Sequence, residues 1–432
     1  PHNASCFSCS FYNLDDVEHS TINKYLSSLV GKSLMELESS YCLEIAEDNR
    51  TIIPQTLGRI ASYYYLKNNT VRMFRDAMKS DCSIPELLDI LSNAAEYAEL
   101  PVRHNEDQIN GDLAGQVPLE VNKASLDSAH TKTNLLLQAY LSHLPLPSSD
   151  YHTDTKSVLD QALRVLQAML DVSADQGWLV TSLNVIILLQ MLVQGRWWHD
   201  CNLLTLPHVQ PYHIYCFRNS TNEKKLIDCL PELIDYCDGQ KEVLASMLGG
   251  EMNKTQVDQL FEVLVRLPLI EVSIEIKGWL EGEQTALSRP VNLSYKDGRR
   301  PNSDWLKVHA DQEYVLNISL KRINKIKKTD SKAHSLSFPK PKDEGWMLVI
   351  GNIESREVIA LKRVPWVRGR TSTQMAFYTP ERQGRVIYTL YLMSDAYLGL
   401  DQQYDICLDI IEPSVETQDN SELQVIADDN KW

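Results

Sequence analysis

Positive charge is scarce in this 432-residue chain: 42 Lys and Arg stand against 58 Asp and Glu, for a formal net charge of −16 and a pI near 5.2. A surface of that sign excludes attachment to polyanions by overall charge, so any nucleic-acid contact needs a local groove. Long apolar runs are lacking as well. The longest candidate, Leu179 to Val193, is interrupted by Thr181, Ser182, Asn184 and Gln190. It falls short of the roughly 18–20 apolar residues of a spanning helix and reads as a buried helix, with no membrane partner. Cysteines number nine, an odd count spread thinly. Cys6 and Cys9 form a lone CxxC, with His2 and His19 poorly placed to complete a set, so neither a disulfide framework nor a zinc centre is expected. The start of the chain has no charged-then-apolar leader pattern, which points to a reducing compartment, nucleus or cytoplasm.

Catalytic patterns are also missing. Gly31-Lys32-Ser33 copies the end of a phosphate-binding loop, but Leu26 stands where that loop needs its first glycine, and the stretch is helical in period. Asp343-Glu344-Gly345 precedes a strand and is no helicase acidic box, and no Ser/His/Asp or Cys/His set is recognisable by spacing. The expectation is a chain that is not itself an enzyme and holds no cofactor.

What is present is an ordinary globular composition, 43% apolar and 23% charged, with length for about two to four domains. Residues 1–10 read as a disordered lead-in. Over 11–68, a helix from Val17 to Leu37 precedes strands at 41–45 and 51–53 and a helix from Gln55 to Leu66. That order is a partial winged helix without its opening helices, as in a piece of a longer chain. Residues 69–202 carry six helical segments, including Asp154–Val172 and Leu179–Gly195, and read as a helical bundle. A smaller unit, 203–268, reads as helix-hairpin-helix-like. From 269 to 412 the period becomes two, and seven short strands suit an immunoglobulin-like (fibronectin type III-like) β-sandwich, with a polar loop at 278–304. Residues 413–432 read as an acidic, disordered tail.

Several strings resemble one family. Tyr12-Asn13-Leu14 and Gly58-Arg-Ile-Ala-Ser-Tyr-Tyr-Tyr-Leu66 flank the partial winged helix. Pro101-Val-Arg-His-Asn-Glu-Asp107 enters the bundle and Asn134-Leu-Leu-Leu-Gln-Ala139 lies in it. Lys342-Asp-Glu-Gly-Trp346 opens a strand, and Tyr388 to Asp405 makes a strand, a Gly-bearing turn and a strand. They are similar to the Sec-type homology module of large nucleic-acid helicases, found in the spliceosomal small-nuclear-RNA-unwinding helicase and in the helicase of the activating signal cointegrator complex. Val102 to Asp107, Gln161-Ala-Leu-Arg164, Asp304 to Tyr314 and Leu400 to Asp405 resemble the cointegrator branch. The resemblance implies a parent that is an ATP-dependent 3′-to-5′ helicase, with ATP and Mg held by motor domains outside this stretch. It further implies roles in DNA alkylation repair and in splitting collided ribosomes. Implied partners are upstream helicase domains, single-stranded DNA or RNA, cointegrator complex subunits and the ribosome. The rival expectation is a protein–protein scaffold that touches no nucleic acid.

Three sets of residues are candidates for strand contact. Asp160, Arg164 and Gln167 share one stripe of the Asp154–Val172 helix, where a long bundle helix lines the channel in related helicases. Arg164 could grip phosphate with its planar fork, or else pair with Asp160 or another carboxylate, and Gln167 offers an adaptable donor. Arg103 and His104 come next, ahead of Asn105 as a possible helix cap, with a salt bridge as the plainer reading. The third set is basic: Lys325, Lys327 and Lys328 with Arg322, and Arg368 and Arg370 with Arg363. They make either a local positive surface or solvated hairpin tips.

Overall fold

The computed structural model describes residues 18–48, 50–219, 226–280, 283–291, 305–324 and 331–413. Helices come first and sheets second. The chain opens with α1 (His19–Ser39), the antiparallel pair β1 (Leu43–Ile45) and β2 (Ile52–Pro54), and α2 (Thr56–Tyr63). Pro54, expected as a stop, is the last paired residue of β2, opposite Leu43. No residue of α1 is buried, although Leu26, Leu29 and Val30 line one side of it.

Next come α3 (Asn68–Ala77), α4 (Ile84–Ser92), α5 (Glu106–Ala114), α6 (Ala129–Leu141), α7 (Ser149–Asp175) and α8 (Leu179–Gln194). Ser83 and Glu86 form a reciprocal cap at the start of α4, and Ser148 accepts from Tyr151 N at the start of α7. The latter lets α7 begin five residues before the expected Asp154 and reach 27 residues. The following helices are α9 (Ile214–Asn219), α10 (Leu230–Cys237), α11 (Lys241–Leu248) and α12 (Lys254–Arg266).

Nine strands then form two sheets among the described residues: β3 (Ile270–Leu280), β4 (Glu283–Val291), β5 (Leu306–His309), β6 (Glu313–Arg322), β7 (Trp346–Asn352), β8 (Glu357–Val364), β9 (Arg370–Tyr378), β10 (Gly384–Ser394) and β11 (Gln402–Ile411). One sheet has the order β5-β11-β10-β7-β8, with β5 parallel to β11; the other runs β4-β3-β6-β9. The loop expected at 278–304 is overturned over its first part, because β4 pairs with β3 from Val291 opposite Ile274 to Glu283 opposite Leu280. The β4 sequence is polar and carries Pro290, which hid it; such a strand is tolerated at a sheet edge. The sheets share an apolar interior, where Phe377 of β9 meets Tyr388 of β10 edge-on at 5.5 Å between ring centres.

Helices and sheets are joined through α8. β7 is buried from Trp346 to Gly351; it lies in its sheet between β10 and β8, on both of which α8 packs. A side chain at Gly351 would come within 2.5 Å of Leu179 Cδ1. The four polar residues that interrupt the apolar run of α8 are all ties to neighbours. Thr181 Oγ1 donates to Lys79 O (2.5 Å) and accepts from Cys82 N (3.0 Å), and Ser182 meets Ser173 (2.9 Å). Asn184 donates to Cys82 O (2.8 Å), and Gln190 reaches the second half of the chain at Ser394 O (2.7 Å) and the Asp401 carboxylate. Three of these ties satisfy polar groups within the helical part, and Gln190 alone makes its tie where helix and sheet meet. No described helix is long and apolar enough to cross a membrane.

Candidate functional site

The polar residues of α7 converge on three places. Near its start lies a buried ionic cluster. Lys132 of α6 is fully buried, and its ammonium lies 2.7 Å from Glu106 Oε2, 2.7 Å from Asp154 Oδ2 and 2.8 Å from Pro101 O. Arg103 closes the cluster from the solvent side, donating to Glu106 Oε1 (2.9 Å) and Asp154 Oδ2 (2.7 Å) and facing Asp150 (3.4 Å). Burial works against ionisation of Glu106 and Asp154, but hydrogen bonds from Lys132 and Arg103 outweigh it and hold both carboxyls below their usual range. Arg103 is thus tied at the surface to two buried carboxylates, the kind of contact that the salt-bridge alternative named. His104 beside it is exposed. Asn105 makes no side-chain cap to α5; it sits in the left-handed region at φ 65°, and the first-turn Glu106 accepts from Arg103 N instead.

Midway along α7 the Asp160–Arg164 pair, one of the alternatives for Arg164, does not form. Asp160 takes Lys340 (2.9 Å). Arg164 Nη1 donates to the carbonyls of Tyr64 and Tyr65, each at 2.7 Å, and Nη2 donates to Gln161 Oε1. Three donors of its fork are spent on protein oxygens, and its remaining N–H groups stay on a half-buried side chain. Gln167, one turn on, is half-buried.

Near the end of α7, Asp171 accepts from Tyr64 Oη (2.7 Å) and from Arg363 Nη2 of β8 (2.5 Å). Burial raises the Asp171 carboxyl despite both partners. One helix therefore holds α2, the bundle and the five-stranded sheet together.

Among the described residues, two members of the basic set turn to buried carboxylates. Arg322 is buried, on Glu344 (2.8 Å) and Arg266 O (2.8 Å), and Arg363 turns to Asp171. Arg368 and Arg370 are exposed, with Arg370 Nε donating to Ser319 Oγ (2.9 Å). Lys325, Lys327 and Lys328 lie outside the described residues, as does Tyr12-Asn13-Leu14. Gly31-Lys32-Ser33 lies inside α1, where Lys32 faces Glu36 one turn on. No group of three His, Cys, Asp or Glu side chains among the described residues is placed to hold a metal.

A family model, the Sec63 Brl domain, matches residues 54–407. The chain belongs to the Sec63 Brl domain family. It is 54% identical over 96% of its length to activating signal cointegrator 1 complex subunit 3 of Gallus gallus, and 36% identical over 91% to the protein of that name in Dictyostelium discoideum. It is 31% identical over 94% of its length to the U5 small nuclear ribonucleoprotein 200 kDa helicase of Mus musculus. The chain covers 19%, 18% and 17% of these relatives, so it corresponds to under a fifth of each. Of these relatives, the 200 kDa U5 protein is named a helicase.

Within this Brl domain, sequence reasoning missed Lys132, Asp171 and the contrast among Tyr63, Tyr64 and Tyr65. Lys132 left one signal, a lysine beside a densely apolar helical string. Asp171 left none that spacing can find, since its partner Arg363 is 192 residues away.

Proposed function

We propose that the chain is a non-catalytic module of an ATP-dependent 3′-to-5′ nucleic-acid helicase, forming one wall of the channel for the single strand. The observation that carries this reading is α7, a 27-residue helix fastened at three levels to α2, to α5 and α6, and to β8. Such a helix is a rigid wall, and rigid elements hold a binding surface in register better than loops do. The helicase named among the relatives supports the class of the parent. In this reading α1 to α2 is the tail of a winged helix, 203–268 a helix-hairpin-helix-like unit, and the two sheets an immunoglobulin-like sandwich that docks partner proteins. Those partners are upstream helicase domains, cointegrator complex subunits and the ribosome. The processes are DNA alkylation repair and ribosome quality control, in nucleus and cytoplasm.

Gln167, His104, Arg368, Arg370 and the lysines at 325, 327 and 328 remain the direct strand contacts in this reading, while Arg103 and Arg164 act chiefly by holding the wall. A second reading, a protein scaffold without nucleic-acid contact, is favoured by the −16 charge and by the inward pairing of Arg322 and Arg363. The deciding experiment is anisotropy of labelled single-stranded RNA and DNA against the chain at low and moderate salt. Salt-sensitive binding supports the strand-wall reading. No binding at low salt refutes strand contact by the chain and leaves the scaffold.

A further inference from the structure

The end of α2 carries three consecutive tyrosines, and the fold treats them oppositely. Tyr64 is buried, its hydroxyl on Asp171. Tyr63 and Tyr65 are 77% and 87% exposed, the most exposed large hydrophobic side chains among the described residues. Tyr63 leans edge-on against the Tyr64 ring, 4.8 Å between centres.

The backbone makes Tyr65 more unusual still. Leu66 N donates to Ala61 O (2.9 Å) and Tyr65 N to Ser62 O (3.4 Å), the paired bonds of a Schellman helix ending. Tyr65 occupies its left-handed position at φ 51°, where glycine fits without strain and a Cβ is penalised. The exposed ring returns little burial for that strain. Its carbonyl, with that of Tyr64, is gripped by Arg164. An aromatic ring is therefore held out into solvent by a strained, clamped backbone, the kind of outlier from which a functional role is inferred.

The surroundings select the partner. Arg59 lies one turn before Tyr63 on α2 and is exposed, as are Ser62 and Lys67, the latter tied to Glu99 (3.4 Å). A protein hot spot would place such rings in a dry apolar patch. Rings set among polar and cationic side chains suit stacked bases, with phosphates beside Arg59.

We infer that Tyr63 and Tyr65 form a stacking platform for bases of single-stranded nucleic acid, and that Arg164 is a positioning residue that orients it. This rests on the strand-wall reading above and names the contact within it. The platform is independent of sequence, since every base has a π face.

The test uses the full chain and labelled single-stranded RNA, comparing affinity, salt slope and thermal stability. Tyr65→Gly should melt at or above the temperature of the unaltered chain, because glycine relieves the left-handed strain. The same variant should lose about 5- to 150-fold in affinity, the range for removing one stacked base contact. Tyr65→Phe should bind like the unaltered chain. Arg164→Ala should weaken binding with its salt slope unchanged, whereas a lost phosphate contact would flatten the log–log slope by about 0.7. A Tyr63→Ala, Tyr65→Gly double variant that binds RNA as tightly as the unaltered chain overturns the platform and leaves the strand wall standing. Loss of affinity in Tyr65→Phe equal to that in Tyr65→Gly overturns stacking. No binding by the unaltered chain overturns both readings at once.

Discussion

Replacing Lys132 by Met tests whether the cluster at the start of α7 holds the bundle together. The Lys132 side chain is 0% exposed and its two carboxylate partners 6% and 5%, with all three N–H donors directed to oxygens within 2.8 Å. The Tyr151 ring lies 4.7 Å from the ammonium. Methionine fills most of the stem but leaves Glu106 and Asp154 buried, with Arg103 as the remaining cation. Removing one partner of a buried ion pair costs about 3–5 kcal/mol, and the surviving Arg103 contacts place the expected loss near the lower end, about 3 kcal/mol. The pH dependence gives a second, independent readout. Both carboxyls lie below their usual range in the folded chain, so their pairing stabilises above the unfolded-state values near pH 4 and is lost as pH falls through the depressed folded values. Lys132→Met removes a principal cause of that depression. Its penalty should be largest at neutral pH and should shrink below about pH 4, where protonated carboxyls need no counter-charge. Urea unfolding followed by tryptophan fluorescence at neutral and acid pH measures both. A loss under about 1 kcal/mol at neutral pH, the scale of an exposed pair, would refute the argument. So would a penalty that acid leaves unchanged.

Two further perturbations probe the joint between helices and sheets. Burial pushes Asp401 up to about 6, against hydrogen bonds from Gln190 and from Ser394 N. A carboxyl raised above its unfolded value loses stability as pH rises from about 4 to 6, so Asp401→Asn should gain on the unaltered chain by roughly 2 kcal/mol between pH 4 and 7. Paired melts across that range check it; a constant difference would show that Asp401 does not titrate there. Gly399 turns the chain between β10 and β11 at φ 80°, and a Cβ there would lie 1.9 Å from Asn202 Nδ2. Gly399→Ala should cost more than the about 1–2 kcal/mol of left-handed strain alone. Gly177→Ala, also left-handed at φ 74° but facing open space, should cost only that strain. Equal melting temperatures for the two variants would remove the close packing from the explanation.

Periodicity made most elements legible, because a change from a helical to a two-residue period needs no knowledge of distant contacts. It placed α8, β6, β7 and β10 to within a few residues, and the string from Tyr388 to Asp405 as two strands about a glycine turn. It failed at β4, whose polar, proline-bearing sequence is stabilised by the register it borrows from β3. The candidate site was harder, since side-chain roles depend on partners remote in sequence. One failure was avoidable. Arg322 continues the inward series Tyr314, Leu316, Ile318 and Leu320 of β6, so the two-residue period already directed it to the core, where Glu344 meets it. Reading it as a hairpin-tip cation weighed composition above phase. Tyr63, Tyr64 and Tyr65 show the opposite limit. They are chemically identical, and only the left-handed turn at Tyr65 and the Asp171 carboxylate decide which ring is buried and which two are exposed. The same logic bears on charge. Lys132, Arg322 and Arg363 each lie on a buried carboxylate, so these cations do not serve as free positive charge on the surface. In the proposed strand-wall reading, an acidic chain that buries Lys132 and Arg322 relies on shape and stacking more than on field strength, and the exposed rings of Tyr63 and Tyr65 are the feature that would supply it.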